Sequence, residues 1–223
     1  MKHLLSNIKI SVPESIYVKD PETSKLGKRI IEHSILLINE IGFEAFTFKK
    51  LGVKIKSNES SIYRYFESKH KLLVYLTAWY WAWIEYQLVF ETANIDNSLE
   101  KLKRGIKVVT RTTMEDSNFD HINEVKLNQI IINENSKSFL TKDVDEENKQ
   151  GHFKMYKRVV LRIKDLITEV NPEYPYSSSL SSTILEGSLH QYFLKDHLTT
   201  ITDCKETTTP TNFIIDLITR VLK

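Results

Sequence analysis

Apolar residues recur at helical spacing along nearly the whole chain. From Ser24 onward Leu26, Ile30, Ile31, Ile35, Leu37, Ile38 and Ile41 make one stripe, and Gly42 stops the run. Thr47 caps a short helix, Phe48 to Ile55, that turns Leu51 and Ile55 inward. After a four-residue turn, Lys56 to Glu59, Asn58 caps a second short helix, Ser60 to Phe66. Ser68 caps a long helix running from Lys69 to beyond Phe90, and Asn97 and Glu100 stand at capping-box spacing before Leu99, Leu102, Ile106 and Val109. Further helices are predicted over roughly 119–140, 143–170 and 180–198 and after Pro210, with breaks at 171–175 and in the threonine-rich stretch 199–211. Residues 1–23, interrupted by Pro13 and Pro21, read as an arm whose order the pattern leaves open. Alternating strand patterns extend no further than a few residues. The pattern predicts an all-α protein, with a three-helix helix-turn-helix domain at 24–70 and a larger helical domain at 71–223.

Composition fits this picture. Six glycines and five prolines in 223 residues argue against linker-rich and many-turned all-β architectures. The single cysteine, Cys204, excludes an internal disulfide and a cysteine-cluster metal site, and fits a reducing compartment. The most apolar stretch, Leu72 to Ile84, is too short to cross a bilayer, which takes about 20 residues. With no signal-peptide pattern either, a cytoplasmic location is expected.

Charge adds what the overall balance hides. The net charge is only +2, yet residues 24–73 carry +5 while 1–23 balance and 74–223 carry −3. A basic fifty-residue block on an acidic remainder points to a polyanion partner for the block alone. Two short helices joined by a tight turn and braced by a longer one form a helix-turn-helix, whose second helix enters the major groove of double-stranded DNA. Ser60, Ser61 and Arg64 suit a groove-facing surface, with Ile62 and Phe66 as the buried side. The hydroxyls of Tyr63 and Tyr65 are expected to reach phosphates, Lys69 adds a cation, and Thr47, Lys49, Lys50, Lys56 and Asn58 complete the candidate DNA surface. The alternative from this reading is a three-helix core with ordinary solvated lysines.

The same stretch resembles the DNA-binding domain of the TetR/AcrR family of transcriptional regulators. The resemblance rests on Gly42-Phe43, Thr47 and Leu51, then on Ile62-Tyr63-Arg64-Tyr65-Phe66-Glu67-Ser68-Lys69, and covers residues 26–74. This chain departs from the family in the turn. Ile55-Lys56-Ser57-Asn58 stands where the family has Ala-Gly-Val-Ser, and Ser60-Ser61 where it commonly has Gly-Thr. A left-handed backbone at position 56 would cost a non-glycine residue about 1–2 kcal/mol, so a reshaped turn is expected there. The resemblance implies a second helical domain that binds a small molecule and dimerises; no cofactor is expected.

Within that domain the candidate ligand-binding residues are Tyr75, Trp79, Trp83, Tyr86 and Phe90, an aromatic stripe on the long helix of a kind that is more often plain core than a ligand pocket. The candidate homodimer interface lies on the last two helices, at Leu185, Leu189, Tyr192 and Phe193 and at Ile214, Leu217, Ile218 and Val221. The final helix is apolar around most of its circumference, and Gly187-Ser188 reads as a close-packing site. Catalytic constellations are weak. His152 and Tyr156 lie one turn apart with no carboxylate at ligand spacing, and His190, Asp196 and His197 lack a third ligand. Cys204 reads as an exposed thiol without a histidine neighbour. The expectation is a ligand-responsive DNA-binding repressor rather than an enzyme. The alternative is an all-α small-molecule-binding or membrane-associated protein whose helix-turn-helix serves only structure.

Overall fold

The computed structural model describes residues 10–112 and 119–223, and among these it is all-helical, with no strand. The α-helices are α1 (Lys25–Ala45), α2 (Phe48–Lys54), α3 (Glu59–Tyr63), α4 (Lys69–Thr92), α5 (Ser98–Thr110), α6 (Glu124–Glu134), α7 (Val144–Lys149), α8 (Lys154–Val170), α9 (Ser177–His197) and α10 (Thr209–Val221). The chain forms two compact units: Met1–Tyr80 with Thr113–Lys154, and Trp81–Thr112 with Met155–Lys223.

In the first unit α1 starts where Ser24 accepts a hydrogen bond from the Gly27 amide at 3.0 Å. Its regular helix breaks at Gly42, whose φ of 76° a side chain would strain, and the freed Phe43 amide donates to the Glu134 carboxylate on α6 at 3.1 Å. From residue 10 the N-terminal arm packs into the first unit. Ile10, Val12 and Ile16 are buried, the Val18 amide donates to the Tyr65 carbonyl at 2.9 Å, and Ser15 donates to the Gln150 carbonyl at 3.0 Å. Gly27 is the reason the arm lies so close to α1: a Cβ there would sit 2.1 Å from the Pro21 carbonyl oxygen. Residues 1–9 of the arm fall outside the described residues.

Two predicted helices are shorter than their hydrophobic pattern. The 119–140 stretch becomes α6 because Asn123 caps it from within, accepting from the Lys126 amide at 2.9 Å, and the helix passes into a 3-10 turn at Asn135–Ser138. The 143–170 stretch splits into α7 and α8 at Gly151, which takes a φ of 84°. The split brings Glu147 into the interior. Its carboxylate accepts from His70 at 3.0 Å and from Lys71 at 3.1 Å, and lies 3.6 Å from His152 Nδ1. His152 thus has a carboxylate beside it in space that the sequence spacing did not suggest. Burial raises the Glu147 pKa, but the His70 and Lys71 bonds outweigh it and hold the carboxyl below its usual range; burial, then Lys71, push the His152 imidazole down.

In the second unit Glu85, buried in the apolar helix α4, accepts hydrogen bonds from Arg158 Nε at 3.0 Å and Arg162 Nε at 2.6 Å on α8. Between α5 and α10, Thr110 and Thr211 exchange two buried hydrogen bonds. Cys204 is buried, correcting the expected exposed thiol: its polar neighbours Asp203 and Lys205 turn outward while its own amide donates to Thr202 at 3.1 Å. Gly187 is not a close-packing site within the chain either, since a Cβ there would meet nothing within 4 Å. His190 and His197 flank the Phe193 ring, at 6.4 and 4.7 Å between centroids, instead of converging on a shared ligand. Among the described residues, no helix is long and apolar enough to cross a membrane, and no three histidine, cysteine or acidic side chains are grouped to hold a metal.

Candidate nucleic-acid interface

Helix α2 begins at Thr47, whose hydroxyl accepts from the Lys50 amide at 3.2 Å, and turns Phe48 and Leu51 into the core. It ends in a Schellman motif. The Lys56 amide donates to the Val53 carbonyl at 3.2 Å and the Ser57 amide to the Gly52 carbonyl at 2.9 Å, with Lys56 itself left-handed at φ 50°. The missing glycine therefore does not reshape the turn; Lys56 adopts the left-handed conformation and bears the strain. Arg29 of α1 donates to the Ile55 carbonyl and fixes the same corner, a role that no sequence signal announced.

Asn58 then caps α3. Its side-chain oxygen accepts from the Ser61 amide at 2.9 Å and from the Ser60 hydroxyl at 3.1 Å, and the Ser61 hydroxyl bonds the same oxygen. The helical assignment ends at Tyr63, shorter than the predicted Ser60 to Phe66, because the Tyr65 amide turns back to the Ile62 carbonyl. Ile62 and Phe66 are fully buried, as the pattern required.

The outward surface holds most of the candidate DNA-binding residues. Thr47, Lys49, Lys50, Lys56, Asn58, Ser60, Tyr63 and Arg64 are exposed, and Ser61 is half-buried. Lys50 donates to the Ala45 carbonyl at 2.7 Å, and Tyr63 meets Phe48 edge-on at 5.0 Å. Two candidates stand elsewhere. Tyr65 is buried, its hydroxyl 2.7 Å from Ser24 Oγ, its ring under the Lys19 ammonium. It reads correctly as the second aromatic of the motif but incorrectly as a phosphate contact, because alternate residues of a helical turn face opposite sides. Lys69 sends its ammonium back to α1, donating to the carbonyls of Phe43 and Glu44 at 3.1 Å and of Phe46 at 3.4 Å, above the Phe43 ring at 4.7 Å. This cation caps a helix C-terminus.

The aromatic stripe of α4 is mostly packed interior. Tyr75 is buried in the first unit, edge-on to Tyr17 and Phe66, with its hydroxyl donating to Glu22 at 3.4 Å; burial first, and then the nearby carboxylates, push its pKa upward. It borders a cavity of about 100 Å³ beneath the arm. Trp79 is buried against Phe119, also in the first unit. Trp83 is buried in the second unit, where Tyr86 stacks on the exposed ring of Phe90. The candidate dimer residues divide in the same way. Leu185, Leu189, Tyr192, Ile214 and Ile218 are buried within their own unit, whereas Phe193 and Leu217 are half-buried and Val221 is exposed. Phe213, absent from the predicted set, is 46% exposed beside them in sequence.

Residues 30–76 match the family model for bacterial regulatory proteins of the tetR family. No curated protein matches the sequence. Similar solved structures include AibR in complex with isovaleryl coenzyme A and operator DNA, 14% identical with a TM-score of 0.55, covering 84% of this chain and 95% of that one. The superantigen PfiT is 16% identical with a TM-score of 0.58, covering 92% and 99% respectively. Apo AibR is 13% identical with a TM-score of 0.51, covering 86% and 95%. The chain has the fold of a TetR-family DNA-binding regulator, with an N-terminal helix-turn-helix and a larger helical remainder.

Proposed function

We propose that the protein is a ligand-responsive transcriptional regulator that binds double-stranded DNA as a homodimer. It acts as a repressor released from a near-palindromic operator by a small apolar or aromatic effector, and no catalytic step is involved. Because one fold serves both an operator-bound regulator and a protein described as a superantigen, the reading rests on the site. The observation that carries it is the surface of α2, the turn and α3, where Lys49, Lys50, Lys56 and Arg64 are exposed together with the small polar residues Thr47, Asn58 and Ser60. Cations of this kind hold phosphates, while a short polar helix face admits base edges.

Arg64 is the proposed base reader and the lysines the phosphate contacts. The effector reading is supported by α4, which begins three residues after Phe66 and carries the aromatic stripe. The accessible end of that stripe is Tyr86 and Phe90. AibR, with its acyl coenzyme A and its operator, is an example of the fold serving both partners. The experiment is a titration of operator and scrambled duplexes across a salt series. Arg64→Ala is expected to erase preference between the duplexes, a bidentate base contact being worth about 1–3 kcal/mol. Lys49→Ala is expected to weaken both duplexes alike and flatten the salt slope by about one. Equal losses on both duplexes for Arg64→Ala would remove it as a base reader.

A further inference from the structure

Helix α5 runs against the charge of its surroundings. Residues 74–223 are net negative, yet 98–111 hold Lys101, Lys103, Arg104, Lys107 and Arg111 against the single acid Glu100. Three of these cations are already neutralised. Lys101 pairs with Glu169 at 3.0 Å, Lys103 with Glu100 at 2.9 Å, and Arg111 with Glu91. Arg104 and Lys107, three residues apart on one side of the helix, are exposed and have no ion-pair partner among the described residues.

Both of them line one groove. It encloses about 490 Å³ within the second unit, and its lining is completed by Ile95, Ile215, Asn212 and the Lys103–Glu100 pair. That volume falls in the range of small-molecule sites, which combine an apolar lining with a few convergent polar groups. The carboxylate next to it in sequence on α10, Asp216, is bonded to Arg220 at 2.7 Å and so does not compete for the two cations.

We propose that this groove binds a small anionic amphiphile. A carboxylate or phosphate head sits between Arg104 and Lys107, the guanidinium offering two parallel N–H donors and the ammonium a point charge. The apolar part lies along Ile95 and Ile215, and the Asn212 amide orients the head. An inorganic anion or a nucleic-acid backbone would gain nothing from the two isoleucines, and a cationic ligand would face Arg104 and Lys107 with only Glu100, already paired with Lys103, to offset them. The site uses none of the α4 aromatics and does not depend on the DNA-binding role.

Calorimetric titration of the full chain without DNA tests it, with decanoate, decyl phosphate, decyltrimethylammonium and inorganic phosphate as probes, all below micelle-forming concentrations. At least one of the two anionic amphiphiles is expected to bind saturably at one per chain, the better of the two identifying the head group, while the cationic amphiphile and inorganic phosphate do not. The R104Q/K107Q double variant is expected to lose at least tenfold in affinity. Lys101→Gln, which removes a cation already paired with Glu169, stays within twofold, and thermal unfolding establishes that each variant is folded. Equal binding of the cationic probe, undiminished binding by the double variant, or no saturable binding of either anion would overturn the proposal.

Discussion

Lys56 and Lys69 show how far a residue's role depends on the backbone around it. Lys56 sits where the turn demands a left-handed residue, and its side chain points to solvent from a strained backbone. Lys56→Gly relieves about 1–2 kcal/mol of strain but adds about 0.5–1 kcal/mol of chain entropy to be lost on folding. A net gain of about 0.5–1 kcal/mol is expected in denaturant unfolding, together with a shallower salt dependence of DNA binding because one cation is gone. A less stable glycine variant would show that the turn is unstrained. Lys69→Ala is expected to behave in the opposite way. Removing the ammonium leaves the carbonyls of Phe43, Glu44 and Phe46 without their shared donor, at a cost of about 1–2 kcal/mol in stability, while the salt slope stays as in the parent. A flattened slope with unchanged stability would return Lys69 to the DNA surface.

At the scale of elements, the helices were legible wherever caps and periodicity agreed. Thr47, Asn58 and Asn97 cap the helices they were expected to cap, and Gly42 ends the regular part of α1. The break at Gly151 was not legible, because apolar periodicity resumes on both sides of it and one isolated glycine is compatible with a continuous helix. For the same reason the pattern could not foresee the Glu147 cluster that the break creates, nor that Tyr65 and Lys69 are held by Ser24 and by the end of α1. Contacts between residues 23 to 77 positions apart carry no periodicity. The arm was opaque too, since its buried residues Ile10, Val12 and Ile16 are too few to form a stripe.

The Glu147 cluster makes the first unit acid-sensitive. His152 is buried with its imidazole pushed below the ordinary value of 6.5, so the unfolded chain takes up a proton there before the folded one does. The His152 contribution to stability is therefore expected to be present in full above pH 6.5 and to be lost as pH drops from 6.5 toward the depressed folded value. Glu147, held below its ordinary 4.5, extends the loss in the same direction once pH passes below that value. Urea unfolding midpoints at pH 7.5 and 5.5 are expected to differ more for the parent than for His152→Asn, which cannot titrate. An equal pH dependence in both would detach His152 from the effect.

For the whole molecule, the buried halves of α9 and α10 account for their own unit, while Ile215 remains partly uncovered in the groove beside α5 and Phe193, Leu217, Val221 and Phe213 remain wholly or partly uncovered. We propose that a second copy covers them in a four-helix arrangement with twofold symmetry, the commonest way for identical chains to associate. Leu217→Glu with Val221→Glu places two charges on that face without touching the buried Ile214 and Ile218, so the variant is expected to sediment as a folded monomer where the parent is a dimer. A variant that stays dimeric would move the interface elsewhere. Such a twofold would also set the DNA geometry, with two α3 helices expected about 34–36 Å apart, or a multiple of that, on one face of the duplex.

DNA binding by the exposed surface of α2, the turn and α3 is open to one direct measurement. Equilibrium titration of the parent and of a Lys49→Ala/Lys50→Ala/Arg64→Ala variant against a fluorescent duplex, repeated from 50 to 200 mM salt, tests it most directly. The parent affinity is expected to fall steeply and linearly on a log–log plot, and the variant to show a slope shallower by about two to three and weaker binding at every salt concentration. A parent that fails to bind duplex at the lowest salt, or a variant that matches it throughout, would show that this surface does not bind DNA.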